Sequence, residues 1–197
     1  MSLSVRPLTI QIMHPWKIRS RRIALQQPPW ITVELHEVEL PNGTVIPEWA
    51  WVITPDFVNV IALTEDKQVL CFRQNKYAID GLSYAPVGGY IEPGEDPLVA
   101  AQRELHEETG YAAADWRFLG KYAADGNRGS GSGHLYLALG ASKVAEIHAD
   151  DLEEMQLLTL NLDDFERELL AGEFKLLPWA ANAALALLYI RSAKLKI

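Results

Sequence analysis

Three glutamates of this sequence stand at spacings that place them on one side of a helix. In the run AAQRELHEETG, Glu104, Glu107 and Glu108 fall within an arc of about 100° at the helical period. The neighbouring stripe is apolar, so the helix would bury one side and present three carboxylates on the next. Like charges at this spacing repel by roughly 0.2–0.5 kcal/mol per pair, and a divalent cation would remove the repulsion. Oxygen ligands without a cluster of Cys or His favour Mg²⁺ or Mn²⁺.

By itself, a run of like charge more often marks a solvated helix face. The residues around this helix favour the metal instead. The fixed positions of the longer pattern are Gly89, Glu95, Arg103, Glu104, Glu107, Glu108 and Gly110. The pattern resembles the Nudix box, G-x5-E-x7-R-E-U-x-E-E-x-G-U, where U is a large apolar residue; Leu105 and Tyr111 occupy the two U positions. Seven fixed residues at about 6–7% usage each, with two apolar ones, match by chance at roughly one start position in a billion.

The resemblance implies an α/β fold of the Nudix type, an α/β/α sandwich with a mixed sheet, in which the box forms a loop, a helix and a loop. Proteins of this family hydrolyse a nucleoside diphosphate linked to another moiety and use Mg²⁺; Mn²⁺ is the alternative ion. The metal ligands that the resemblance implies are the carboxylates of Glu104, Glu107 and Glu108 and the carbonyl of Gly88. Arg103 would brace the acidic residues, with Glu95 as its natural partner. Glu107 and Arg103 are therefore also catalytic candidates.

A second acidic stretch, residues 148–154, corresponds by resemblance to a mobile loop that carries the general base. Glu153 is the favoured residue, as base or as a further metal ligand, and Asp151 is the second candidate. The alternative is an ordinary acidic turn, since acidic residues are common in turns.

Features outside the box resemble the ADP-ribose and nucleoside-diphosphate-sugar pyrophosphatase branch of the family. They are an N-terminal antiparallel unit with several tryptophans, an Asn-Gly turn, a Q-x-[RK] strand end and the second acidic loop, and they cover roughly residues 16–190. The resemblance implies a homodimer in which the N-terminal unit helps to line the partner's substrate site. Trp49 would stack on the nucleobase; the alternative is that the tryptophans only fill the dimer interface. The substrate-binding residues predicted are Trp49, Lys76, Tyr90 and Arg128.

Two positions depart from the branch pattern and bear on the substrate. Lys76 stands where the branch has an arginine, so it would meet a phosphate as a point charge without a bidentate fork. Ala85 stands where a glutamate is usual. Both weaken the assignment to ADP-ribose and leave metal-dependent diphosphate hydrolysis intact. Arg128 lies in a Gly- and Ser-rich loop, which is either a phosphate or ribose contact or a flexible connection.

The elements that must position these residues follow from periodicity and turn signals. A hairpin turns at Asn42-Gly43, with Pro47 marking an edge strand, and a helix begins after Asp96 and ends at Gly110. The predicted strands are 30–40, 44–54, 57–64, 68–74, 116–124, 134–140 and 155–160; the later helices are 162–172 and 178–191; residues 75–96 are predicted as a loop. The predicted domains are an N-terminal antiparallel β unit at 1–55, for dimerisation and substrate lining, and a hydrolase domain at 56–197.

Composition and charge exclude other classes of protein. The chain has 197 residues, 49% of them hydrophobic, which supports a folded core. Its net charge of −8 divides into +5 in residues 1–33 and −13 in the remainder. The acidic body argues against nonspecific nucleic-acid binding, and no apolar stretch reaches the roughly 18–20 residues of a membrane span. The single cysteine, Cys71, excludes an internal disulfide and fits a reducing, cytoplasmic location.

The predicted function is Mg²⁺-dependent hydrolysis of the diphosphate linkage of a nucleoside-diphosphate sugar, foremost ADP-ribose to AMP and ribose 5-phosphate. One alternative is a family member that acts on another nucleoside diphosphate derivative or on a triphosphate; triphosphate enzymes are usually shorter and lack the N-terminal unit. A minor alternative is a non-catalytic ADP-ribose sensor that controls an attached DNA-binding module. Only about 20 residues follow Leu177, which leaves no room for such a module, so we expect an enzyme.

Overall fold

The computed structural model describes residues 14–146 and 155–192. These residues divide into two units. One comprises residues 14–54 together with Asn127–Gly129, and the other comprises Pro55–Gly126 and the described residues from Ser130 onward. The short segment Asn127–Gly129 thus belongs to the N-terminal unit although it lies far along the chain.

The N-terminal unit is a three-stranded antiparallel sheet in the order β1-β2-β3. Its strands are β1 (Lys17–Gln27), β2 (Ile31–Glu39) and β3 (Val45–Ile53). The predicted Asn-Gly turn closes β2 onto β3, with the Asn42 side chain accepting from the Thr44 N–H at 3.0 Å. Pro47 lies in the edge strand β3, as predicted. Strand β1 was not predicted, because its basic and apolar residues do not alternate cleanly.

The second unit is built on a mixed sheet in the order β10-β5-β4-β9-β7, with β6 added to β5 and β8 to β9. Its strands are β4 (Phe57–Thr64), β5 (Val69–Asn75), β6 (Leu82–Ala85), β7 (Tyr111–Ala112), β8 (Asp115–Ala123), β9 (Ser132–Lys143) and β10 (Met155–Leu160). β4 and β9 run parallel, and the other pairs are antiparallel. Residues 58–64 of β4 are all buried, as the continuous apolar run predicts. β6 lies inside the segment predicted as a loop, because four residues among turn formers carry no periodic signal.

Three helices complete this unit. They are α1 (Pro97–Thr109), α2 (Leu162–Leu170) and α3 (Leu177–Ser192). Both α1 and α3 pack on the adjacent strands β4 and β9. Two strands about 5 Å apart cannot carry two helices about 8–10 Å apart on one face, so the helices cover opposite faces. This arrangement confirms the predicted α/β/α sandwich. No helix in the described ranges is long and apolar enough to cross a membrane.

Candidate active site

Helix α1 is capped at both ends as its sequence predicts. The Asp96 side chain accepts from the Leu98 N–H at 2.9 Å and from the Val99 N–H at 3.3 Å, and Pro97 occupies the first turn. Gly110 adopts the left-handed conformation, with φ of 71°, and its N–H donates to the His106 carbonyl at 2.9 Å. These caps determine where the helix starts and stops, and therefore where its glutamates project.

Arg103 binds the carboxylates of the box together. Its guanidinium donates two hydrogen bonds to Glu95, at 2.9 and 3.1 Å, and one each to Glu104 at 2.8 Å and Glu107 at 3.2 Å. A further bond reaches the Tyr90 carbonyl at 3.2 Å. The fork on Glu95 raises the pKa of Arg103 and lowers the pKa of Glu95. The brace predicted for Arg103 and Glu95 is thus present in the structure.

Two adjacent glycines meet the remaining carboxylates. The Gly88 N–H donates to the Glu108 carboxylate at 3.1 Å. A Cβ atom on Gly89 would clash with the carboxylate of Glu104, so only glycine lets the backbone approach this closely. The side chain of Glu104 is 12% exposed, and this burial raises its pKa, while the bond from Arg103 opposes the rise. Glu104 and Glu108 therefore converge on one short stretch of backbone.

These residues fit a hard divalent cation in their chemistry. All donors are oxygens, and Glu104 is a carboxylate whose burial disfavours its charge, which a cation would compensate. Among the described residues no three His, Cys, Asp or Glu side chains converge as a ready metal cluster. The carboxylates of Glu104 and Glu107 are instead hydrogen-bonded to Arg103, and that of Glu108 to Gly88. The residues that would hold the cation are Glu104, Glu107, Glu108 and the Gly88 carbonyl.

The N-terminal unit brings two predicted substrate residues into contact. The Arg128 guanidinium lies 5.1 Å from the ring centre of Trp49, and the indole N–H of Trp49 donates to the Asn127 carbonyl at 3.1 Å. Trp51 lies on the same sheet face, as predicted, and stacks on His36 at 5.6 Å. Arg128 is therefore packed on an aromatic ring.

The other predicted substrate residues belong to the second unit. Lys76 directly follows β5, and the side chain of Tyr90 is exposed in the loop before α1. Ala85 is fully buried in β6. Asp151 and Glu153 lie outside the described residues.

One residue of this region escaped sequence reasoning. Asn59 is buried in the middle of β4 and lies against Gly88. The available signal was a single polar residue in the apolar run FVNVIAL. The sequence analysis predicted a strand there and gave this residue no role.

Comparisons with known proteins agree with this architecture. Residues 54–180 match the family described as NUDIX domain, and residues 16–52 match the nucleoside diphosphate sugar hydrolase N-terminal domain. The chain is 33% identical over 135 residues to a methanol dehydrogenase activator of Bacillus methanolicus, covering 68% of this chain and 72% of that one. It is 28% identical over 135 residues to an ADP-ribose pyrophosphatase of Bacillus subtilis, with the same coverage of 68% and 72%.

A solved structure shares the fold. It is described as an ADP compounds hydrolase and superimposes with a TM-score of 0.78 at 19% identity, over 93% of this chain and 98% of that one. The NUDIX match spans more than half of the sequence, and all the box residues from Gly89 to Tyr111 lie inside it. The chain is thus a member of the Nudix hydrolase family.

Proposed function

We propose that this Nudix hydrolase cleaves the diphosphate linkage of a nucleoside-diphosphate sugar with the help of Mg²⁺, and that ADP-ribose is its main substrate. The observation that carries the proposal is the convergence of Glu104 and Glu108 on Gly88-Gly89, braced by Arg103. A face built only for solubility would leave these carboxylates in water, yet Glu104 is largely buried. The arrangement supports a site that becomes stable when it holds a cation.

The proposed reaction is an attack of water on one phosphorus of the diphosphate. A bond forms between the water oxygen and phosphorus, the bridging P–O bond breaks, and the leaving phosphate keeps the bridging oxygen. Bound Mg²⁺ would supply charge neutralisation and a more acidic water. The chain's own carboxylates would orient the water and take its proton, with Glu153 proposed as base, Asp151 as the second candidate and Glu107 as the acceptor within the box.

Four residues are proposed to contact the substrate. Trp49 would stack on the nucleobase, and Arg128, which lies on the same ring, would contact phosphate or ribose. Lys76 and Tyr90 are proposed to contact the diphosphate and the sugar. The names of two similar proteins, ADP-ribose pyrophosphatase and ADP compounds hydrolase, support an adenine nucleotide.

We also propose a homodimer formed through the N-terminal unit. Strand β1 is exposed along its whole length, and apolar Ile18, Ile23 and Leu25 are each about half exposed, at 47%, 57% and 54%. Surfaces of this kind commonly mark an interface. The buried, free thiol of Cys71 suits the reducing cytoplasm in which we propose that the enzyme acts.

A substrate panel tests the proposed function. ADP-ribose, ADP-glucose, UDP-glucose, GDP-mannose, NADH and nucleoside triphosphates are each assayed with Mg²⁺ and with chelator. We expect ADP-ribose to have the highest kcat/KM, with AMP and ribose 5-phosphate as products and no turnover in chelator. A triphosphate ranking first would overturn the substrate assignment, and full turnover in chelator would overturn the metal assignment.

A further inference from the structure

Strand β4 carries a polar side chain where burial disfavours one. Asn59 is only 4% exposed, and its flanking residues Val58 and Val60 are fully buried. The Nδ2 atom of Asn59 has no hydrogen-bond partner among the described residues. Asparagine is depleted in strands, and a buried donor without a partner needs an explanation beyond stability.

The pairing of β4 with the segment before the box places Asn59 opposite Gly88. Phe57 pairs with Tyr90 and Val60 with Val87, in antiparallel register, and Val58 donates to the Gly89 carbonyl at 2.9 Å. Asn59 therefore lies directly across from Gly88.

The contact between the two residues is close. The Oδ1 atom of Asn59 lies 2.8 Å from the position that a Cβ of Gly88 would occupy. The same position would clash with the Val58 carbonyl, so the glycine is required for the approach. The Gly88 backbone thus lies against Val58 and Asn59 of β4 with no room for a side chain of its own.

The two faces of this strand pair have different roles. Gly89, opposite Val58, faces the carboxylate of Glu104 on helix α1. Because side chains alternate along a strand, Asn59 supports Gly88 from the face that does not carry Glu104. Gly88 donates its N–H to Glu108, so Asn59 contacts the backbone that holds a predicted metal ligand.

We propose that Asn59 is a positioning residue for the cation site, holding the Gly88 backbone where its N–H orients Glu108 and its carbonyl can serve as a ligand. The inference rests on the proposed function, because it assumes a cation at the box. Groups that orient metal ligands in this way typically affect metal affinity 10–100-fold. Asn59 itself would touch neither substrate nor metal.

A matched control exists within the same unit. Asn182 of α3 is fully buried, and neither its Nδ2 nor its Oδ1 has a hydrogen-bond partner among the described residues. Asn182 is thus also a buried amide without partners, but it lies on a helix and not opposite Gly88. Asn59→Leu and Asn182→Leu therefore make the same chemical change at two buried sites.

The test measures Mn²⁺ binding by electron paramagnetic resonance alongside thermal unfolding of each variant without metal. We expect Asn59→Leu to bind Mn²⁺ about tenfold more weakly without a matching loss of Tm, and Asn182→Leu to bind as the wild type does. Asn59→Ser, which is smaller and keeps a donor, should lie between and serves if the leucine variant does not fold. Mn²⁺ affinity that is unchanged in both Asn59 variants, or that falls equally in Asn182→Leu, would overturn the inference.

A second readout separates this inference from the metal site itself. In the wild type, the side-chain amide resonance of Asn59 should shift as Mg²⁺ is added, and that of Asn182 should stay still. Glu108→Gln serves as the reference variant. If wild type and Glu108→Gln bind Mn²⁺ equally, the proposed metal site fails; if they differ and the Asn59 resonance does not move, only the role of Asn59 fails.

Discussion

The box segment and the N-terminal sheet differ in how fully each hydrogen-bonds or buries its own side chains. Between Gly88 and Gly110, Arg103 bonds three carboxylates and Gly88 bonds the fourth. In the N-terminal sheet, all of β1 is exposed, including Ile23 and Leu25. A short stretch of sequence can complete a polar cluster, whereas exposed apolar residues of a strand are buried only by a second surface. The proposed catalytic centre is therefore built from one local segment, whereas the proposed interface of the N-terminal unit depends on a second molecule.

The basic residues of the N-terminal unit are partly paired with acids of the same sheet. The basic residues of the N-terminus lie mostly on β1, and two of them pair with acids of their own sheet: Arg19 with Glu39 at 2.9 Å, and Arg22 with Glu48. The positive excess of residues 1–33 is thus partly neutralised within the unit. These pairs are exposed and contribute little to stability.

The sharpest test of the local character of the box is Glu108→Gln. It removes one carboxylate charge while keeping the shape, and we expect kcat/KM to fall about 10³-fold with the fold retained, since charge stabilisation at the diphosphate is lost. Steady-state kinetics and thermal unfolding measure the two effects. Glu146→Gln, an exposed site paired with Lys143, is the control and should leave turnover unchanged. Equal activity in both variants would remove Glu108 from the site.

The contact role of the N-terminal unit is tested by adding charge to its apolar strand. Ile23→Lys with Leu25→Lys should raise the dimer dissociation constant about 100-fold, because charged side chains would lose hydration in the interface. Sedimentation velocity at several protein concentrations measures the change. Gln26→Lys with Gln27→Lys adds the same charge at polar positions of β1 and should have a smaller effect. A wild-type chain that is monomeric at all concentrations would contradict the dimer.

Trp49 and Trp51 share one sheet face of the N-terminal unit, and we expect them to have different roles. We expect Trp49→Ala to raise KM about tenfold with kcat nearly constant, since a stacking surface is lost. Trp51→Ala should instead lower Tm by several degrees, because its ring stacks on the buried His36. Kinetics and unfolding of both variants distinguish the roles. If both substitutions lower only Tm, the tryptophans fill structure and do not bind substrate.

The smallest expected effect is a shift in pH dependence at the box. Burial raises the pKa of Glu104, so protons compete with a cation at a higher pH than they would at an exposed glutamate. We expect Mn²⁺ affinity to decline by a few-fold as the pH falls toward that raised pKa. The effect of falling pH on folding stability has the opposite sign. Without metal, the folded state holds the Glu104 proton more tightly than the unfolded chain, so this group favours folding as the pH falls through its pKa.

Glu95 changes in the opposite direction and provides an internal check. Its lowered pKa contributes stability above the unfolded pKa, which is lost as the pH falls through the folded pKa. Mn²⁺ titrations between neutral and mildly acidic pH, in wild type and in Glu95→Gln, separate the two carboxyls. If the decline of Mn²⁺ affinity at acidic pH disappears in Glu95→Gln, that decline is due to Glu95 and not to Glu104.

Much of the fold could be predicted because its signals are local. The caps of α1 at Asp96 and Gly110, the buried run of β4 and the hairpin at Asn42 each depend on neighbouring residues, and all are present. β6 was missed because four residues have no resolvable period, and its strand character comes from pairing with β5.

The family, the box helix and the carboxylates on one side of that helix follow from the sequence, because seven residues at set spacings describe a chemistry as well as a helix. Which groups meet depends on the tertiary structure. It placed Asn127–Gly129 on the N-terminal sheet, Arg128 over Trp49, and Asn59 against Gly88. These contacts join residues distant along the chain, and no local propensity encodes them. They arise when the strands pair and bring separate segments to one place.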